Sequence, residues 1–230
     1  MKVCITGAAG GLGEALVRLH LMQGDTVFAL YRRGKGALGA LEASYPQRLT
    51  TAACDIADTA ETERACAVLR GQTDRLDVLY NCAGISPAEH RVPLEKTDFD
   101  ACLAIFNCNA LGALRVVKGC LPLLGPGSAV INVSSEAGSI GQCARAGEYG
   151  YCMSKAALNM ATRLLANEAA KRGAGAAAVH PGWMHTPMGG PEAPVAPEDA
   201  ARGIAALALE VKTGARTGLF FDYQGNPLPW

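Results

Sequence analysis

Tyr151 and Lys155 stand four residues apart in the run YCMSKAALNMATRLLANEAA, which holds no glycine or proline and repeats its apolar and small residues at helical spacing. That pattern predicts a long, largely buried helix over 151–170. On a helix, residues i and i+4 share one face about a turn apart. A phenol beside an ammonium has a chemical use: the cation favours phenolate over phenol and draws a pKa of about 10 toward neutrality. A tyrosine tuned in this way can pass a proton to or from a carbonyl or alcohol oxygen. Taken alone, the spacing fits a half-buried tyrosine and a lysine whose stem snorkels to solvent, and only the rest of the chain argues for chemistry.

The elements that must position the pair follow from the remaining sequence. KVCIT (2–6), TVFALY (26–31), RLTTAACD (48–55), RLDVLYNCAG (75–84), SAVINVSS (128–135), GAAAVHPG (175–182) and GLFFDYQG (218–225) read as strands. Helices are expected after the glycine loop GAAGGLG, over 37–44 and 59–71, from about Thr97 past Phe106 and Asn109 to Leu121, and from Pro197, with Glu198 and Asp199 in its first turn. WMHTPMGGPEAPVAP is too rich in glycine and proline for regular structure and reads as a mobile cover. Strands alternating with helices predict an α/β fold: a doubly wound Rossmann sheet of about seven parallel strands with helices on both faces, forming a single domain over 1–230. In such sheets ligands bind beyond the carboxyl ends of the strands, and Gly7, Asp55, Gly84, Ser135 and Pro181 all lie just past predicted strand ends.

Composition narrows the class. Half of the 230 residues are hydrophobic and 18% are charged, enough for a sizeable core and too little charge for disorder. Lys plus Arg balances Asp plus Glu at 21 each with no basic run, which argues against nucleic acid or an acidic membrane surface as partner. No continuous apolar run approaches the roughly 20 residues that span a bilayer. The start MKVCITGAAGG reads as a strand entering a turn rather than a signal peptide. Nine scattered cysteines form no CxxC and no zinc-spaced set with histidine, so reduced, mostly buried thiols, no metal and a cytoplasmic location are expected.

The first loop, with glycines at 7, 10, 11 and 13, sits where a nucleotide-binding turn belongs, although its spacing is T-G-x-x-x-G-x-G rather than G-x-G-x-x-G. Glycine there lets backbone N–H groups at a helix N-terminus approach a pyrophosphate. An NAD site usually places an acid at the end of the second strand; here the chain reads Tyr31-Arg32-Arg33, and a guanidinium suits a 2′-phosphate, which favours NADP over NAD. Asp55 either accepts a bond from an adenine amino group or caps the next helix. Asn81-Cys82-Ala83-Gly84 offers small residues where a ring or ribose can approach backbone, or an ordinary turn.

Together these pieces resemble the short-chain dehydrogenase/reductase family along the whole chain. The likeness rests on TGAAGGLG (6–13), NCAG (81–84), Asn109 in NALG, Ser135 in NVSS, Tyr151 and Lys155, and Pro181, Gly182 and Thr186, in order. GSIG, YGYCMSKAALNMA, HPGWMHTPMGG and DYQGNPLPW resemble the subgroup of C-factor-like and sniffer-like carbonyl reductases. The resemblance implies an NADP-dependent oxidoreductase interconverting a carbonyl and an alcohol, with Tyr151 as general acid or base, Lys155 on the nicotinamide ribose and lowering the Tyr151 pKa, and Ser135 on the substrate oxygen, with Ser134 its rival. It implies that Asn109 kinks its helix and holds a water that links Lys155 to solvent. Cofactor contacts are implied at Gly7, Gly11, Leu12, Gly13, Arg32, Asp55, Ile56, Asn81, Ala83, Gly84, Pro181, Gly182, Met184 and Thr186. Cys82 departs from the family's second asparagine, and the 16-residue separation of Ser135 and Tyr151 adds a loop with Arg145 and Glu148 that borders the substrate. Trp183, Met188, Ile140 and the 142–148 loop point to a small, neutral, partly hydrophobic substrate. In the family homodimers and homotetramers built through the helices at about 97–121 and 151–170 are common, and monomers also occur, particularly among carbonyl reductases with an extra loop before the tyrosine; a homodimer or homotetramer is the expectation here. The alternative is a C-factor-like nucleotide-binding signalling protein with little turnover.

Overall fold

A computed structural model describes all 230 residues. The strands β1 (Lys2–Thr6), β2 (Thr26–Tyr31), β3 (Leu49–Ala53), β4 (Val78–Asn81), β5 (Ala129–Val133), β6 (Gly175–His180) and β7 (Phe220–Asp222) form one sheet in the order β3-β2-β1-β4-β5-β6-β7. Every neighbouring pair is parallel. The chain winds outward from β1 to β3, returns to β4 beside β1, and then winds outward the other way, so the switch in direction lies between β1 and β4.

Side chains alternate across a strand, and β1 shows both consequences. Val3 and Ile5 join the core under α1 (Gly11–Met22), α2 (Leu38–Ser44) and α7 (Pro197–Lys212), with Leu16, Val17, Ile204 and Val211. Cys4 joins the other core, under α3 (Thr59–Gln72), α5 (Ala113–Cys120) and α6 (Tyr149–Ala170), with Cys66, Leu69, Val116, Val117 and Cys120. Strands buried on both faces become continuously apolar, as AVINV in β5 illustrates.

Three expectations about elements need correction. Several strands are shorter than their apolar runs: β4 covers 78–81 rather than 75–84, and β7 covers 220–222 rather than 218–225. Ladder pairing ends where the chain leaves for the rim, while the sequence stays β-prone. The helix expected from Thr97 to Leu121 is α4 (Phe99–Phe106), a π-helical turn (Asn107–Gly112) and α5. Phe99–Leu123 is apolar and long enough by composition to cross a membrane, but half of that window is buried inside the protein, as a core helix would be. The cover at 183–195 has internal bonding: Val195 N–H donates to Trp183 O (3.1 Å), His185 N–H to Val195 O (2.8 Å), and Trp183 Nε1 to Gly189 O (2.7 Å).

At the opposite rim, the buried imidazole of His20 lies 2.7 Å from Asp25 Oδ2 and 3.1 Å from the Tyr80 hydroxyl, and the Met1 ammonium pairs with Asp25. Of the nine cysteines, all free, only Cys143 is exposed.

Candidate active site

The carboxyl ends of β1, β4, β5 and β6 open into a cleft of about 820 Å³. Its floor is built from glycine because backbone meets backbone there. Gly7 has φ +65°, and a Cβ on it would lie 2.9 Å from Ala83 Cα; a Cβ on Gly13 would strike Gly7 O. Ala83 N–H donates to Thr6 Oγ1 (3.0 Å), locking the two strand exits together. The N-terminus of α1 behind this loop has no side-chain cap, whereas α3 and α4 are capped by Asp58 and Asp98. First-turn N–H groups without a cap are donors for an anion.

Tyr151 and Lys155 arise from α6. The helix starts at Tyr149, two residues earlier than its apolar pattern suggests, after Glu148 in the left-handed conformation (φ 58°). Tyr151 therefore projects into the cleft from the first turn. Lys155 Nζ stands 5.7 Å from the Tyr151 ring centre and donates to Val133 O (2.8 Å), at the end of β5. Burial draws the Lys155 pKa down to about 8, and burial pushes Tyr151 up to about 12. The lowering of Tyr151 expected from its lysine is not found: Ser135 and Arg145 act to lower the pKa, and desolvation, which disfavours the phenolate, outweighs them.

The two serines after β5 separate cleanly. Ser134 Oγ donates to Asn159 Oδ1 (2.6 Å) on α6 and is spoken for. Ser135 lines the cleft with Tyr151 and is near enough to act against the rise in its pKa. Asn109 sits in the π-helical turn, where its amide accepts from Ile85 N–H (2.7 Å) and donates to Ile85 O (2.9 Å) and Ser154 Oγ (3.0 Å). It holds the exit of β4 against α6, and a Cβ on Gly84 would come within 3.2 Å of its Oδ1 and 3.5 Å of Lys155 Nζ.

Of the other residues expected from sequence, Gly7, Gly11, Leu12, Gly13, Ala83, Gly84, Pro181, Gly182, Met184 and Thr186 all line the cleft. Thr186 packs on the glycine loop; a Cβ on Gly11 would be 3.3 Å from its Cγ2. Arg32 lies at the end of β2, exposed and in no ion pair. Asp55 does not cap α3: Asp58 accepts from Glu61 N–H (2.8 Å), while Asp55 Oδ1 accepts from Ala57 N–H (2.9 Å). Ile56 is buried against the π-helical turn, where a Cβ on Gly112 would lie 2.8 Å from it. Asn81 lies beneath the cleft rather than in it, buried, its amide donating to Asn132 Oδ1 (2.8 Å). Ile140 is 82% exposed and does not line the cleft.

A family profile described as short chain dehydrogenase matches residues 1–195. The chain belongs to the short-chain dehydrogenases. Among related members of the family, C-signal of Myxococcus xanthus is 39% identical over 160 residues, which is 69% of this chain and 95% of that protein. A crystal structure of NADPH-bound carbonyl reductase from chicken fatty liver superposes with TM-score 0.91 at 28% identity, covering 100% of this chain and 98% of that one. The carbonyl reductase Sniffer of D. melanogaster superposes with TM-score 0.92 at 29% identity, covering 100% and 99%.

Within this short-chain dehydrogenase the cleft lining around Ser135 and Tyr151 is more polar than its sequence suggested. Arg145 and Glu148 line it, and Ser86, Arg91, Glu136 and His180 join them. Arg145 pairs with both Glu136 and Glu148 (2.9 Å), and Arg91 Nη2 donates to Ser86 O (3.3 Å) and Met188 O (3.0 Å) across the mouth. The only local sign of Glu136 was a charge beside Ser135 in a run of small residues. The Arg91 link joins positions 97 residues apart, which no local pattern reveals. The loop carrying Arg145, an arch over 139–148 that also bears Cys143, is tied to the last residues: Gly141 N–H donates to Trp230 O (3.0 Å) and Ser139 Oγ to Pro229 O (2.6 Å).

Proposed function

We propose that residues 1–230 act as one dinucleotide-binding domain that uses NADP to interconvert a carbonyl and an alcohol on a small, neutral, polar substrate. The observation that carries this reading is the convergence of Ser135, Tyr151 and Lys155 on the cleft floored by the glycine loop. The residues present fit the cofactor. Uncapped N–H groups of α1 and the close-packed glycines suit the pyrophosphate, and unpaired Arg32 suits the 2′-phosphate. Asp55 and Ile56 flank the adenine side, Ala83 and Gly84 the ribose. Pro181, Gly182, Met184 and Thr186 suit the carboxamide end. NADP would supply the hydride donor or acceptor, as nicotinamide cofactors do. The NADPH-bound carbonyl reductase neighbour supports the choice.

The chain's own residues handle the proton. Tyr151, held near pKa 12, carries its proton at neutral pH and can give it to a carbonyl oxygen as hydride arrives. The buried ammonium of Lys155 stabilises the phenolate left behind, and the cleft walls place the substrate oxygen beside Tyr151 and Ser135. Two guanidiniums and two carboxylates on the substrate side balance in charge, which supports a neutral substrate, though a polar one rather than the partly hydrophobic one expected from Trp183 and Met188. Titrating the protein with NADPH and NADH, read by nicotinamide fluorescence, should give tighter NADPH binding, and Arg32→Ala should abolish the preference. An NADH preference would remove the Arg32 assignment, and binding of neither would remove the enzyme reading. Aldehydes and ketones are then screened for NADPH oxidation.

The similarity to C-signal favours one other reading, a nucleotide-binding signalling protein. Tyr151→Phe separates the two: an enzyme loses its turnover with nucleotide binding kept, while a binder has no turnover to lose. Exposed Phe99, Leu103, Met153, Met160 and Leu164 on the neighbouring helices α4 and α6 support assembly as a homodimer or homotetramer. Nine unpaired thiols support a reducing, cytoplasmic setting.

A further inference from the structure

Ser135 Oγ lies 2.5 Å from Glu136 Oε2 and also accepts from Ala137 N–H (3.1 Å). An ionised carboxylate only accepts, whereas a hydroxyl has one proton and two lone pairs. Burial alone would raise the Glu136 pKa, yet the bonds from Ser135 and Arg145 and the charge of Arg145 hold it below the usual carboxylate value. The groups facing it from each packed element are Ser135 at the end of β5, Arg145 on the arch, and His180 Nδ1 (3.5 Å) at the end of β6, an imidazole that burial keeps largely neutral. Tyr151 faces the same carboxylate from α6, with Arg145 and Cys152 nearby. Glu148 secures Arg145 from behind. With Glu136 charged, the Ser135 proton is committed and one lone pair goes to Ala137. What remains for the cleft is an acceptor.

We propose that Glu136 is a positioning residue that claims the Ser135 proton, so that Ser135 turns an accepting oxygen toward the substrate and leaves Tyr151 to donate to the substrate oxygen. Ser135 can itself donate to a carbonyl oxygen only by rotating off Glu136. The interaction by which Ser135 lowers the Tyr151 pKa needs that same proton, so its commitment to Glu136 weakens the effect, and the nearby Glu136 charge disfavours the phenolate further. The inference rests on the proposed oxidoreductase reading, but its test does not require turnover.

The test is the Tyr151 titration midpoint, read by NMR of [13Cζ]tyrosine protein and assigned with Tyr151→Phe, in a double-mutant cycle of Glu136→Gln and Ser135→Ala. Glu136→Gln should lower the midpoint by about one pH unit, because Ser135 regains a proton to donate and a like charge is gone. In the Ser135→Ala background the same substitution should move it by less than half as much. Equal shifts in both backgrounds would mean that Glu136 acts through space on Tyr151 and would overturn the proposal, as would no shift. Glu136→Leu must reproduce the Gln result, which guards against a folding defect peculiar to one variant. Failure of every carbonyl compound in the screen would count against the enzyme and leave this titration unaffected.

Discussion

Lys155 shows at the level of one side chain how the site sets function against stability. It is 5% exposed, and its native pKa of about 8 lies below the ordinary 10.5 because burial disfavours the ammonium. Below pH 8 the native chain carries that cost in full. As pH rises from 8 toward 10.5 the native lysine is already neutral while the unfolded one still binds a proton, so stability climbs through that window. The difference corresponds to roughly 3 kcal/mol, offset by about 1 kcal/mol for the bond to Val133 O. Lys155→Met should therefore raise Tm by roughly 4–8 °C at pH 7 and lose most of the gain by pH 10.5. Calorimetry across pH checks this, with turnover abolished throughout. A variant that is less stable at pH 7 would mean the ammonium is solvated more than its burial implies.

At the scale of elements, α4 and α6 pack together and leave Phe99, Leu103, Met153, Met160 and Leu164 in water. A paired copy would cover them. Light scattering on Leu103→Asp with Met160→Asp should show a smaller species than the parent, with nicotinamide binding intact; a monomeric parent would remove the oligomer reading. The same two helices show what was legible beforehand. The spacing of Tyr151 and Lys155 and the glycines of 7–13 pointed to their positions, since helical period and backbone approach are local properties. The π-helical turn at 107–112 is not legible in NCNALG itself, which is as compatible with an ordinary helix; only the family resemblance implied a kink at Asn109. The role of Glu136 depends on where Arg145 and His180 come to rest, which is tertiary information. The side chain of Asn81 was not legible from its motif at a strand end: strand alternation turns it into the core toward Asn132, leaving only backbone there to meet a ligand.

For the molecule as a whole, the two rims of the sheet have different work. One holds the cleft; the other holds His20 with Asp25 and Tyr80. Burial lowers the His20 pKa from 6.5, more than contact with Asp25 raises it. The native histidine is thus neutral, and the unfolded one gains a proton as pH falls below 6.5. Stability on this account is complete above that pH and drains away below it. Urea midpoints should fall from pH 6.5 to 5, and less steeply in His20→Gln; equal slopes would assign the acid sensitivity to other groups. The division of rims also gives the protein a right and a wrong side for attachment to a sensor surface. Cys143, the exposed thiol, sits on the arch over the substrate side, so a maleimide-coated electrode would capture the protein with its entrance against the support. Cys143→Ser combined with Arg172→Cys, on the loop that feeds β6 from the far rim, would turn the entrance toward solution.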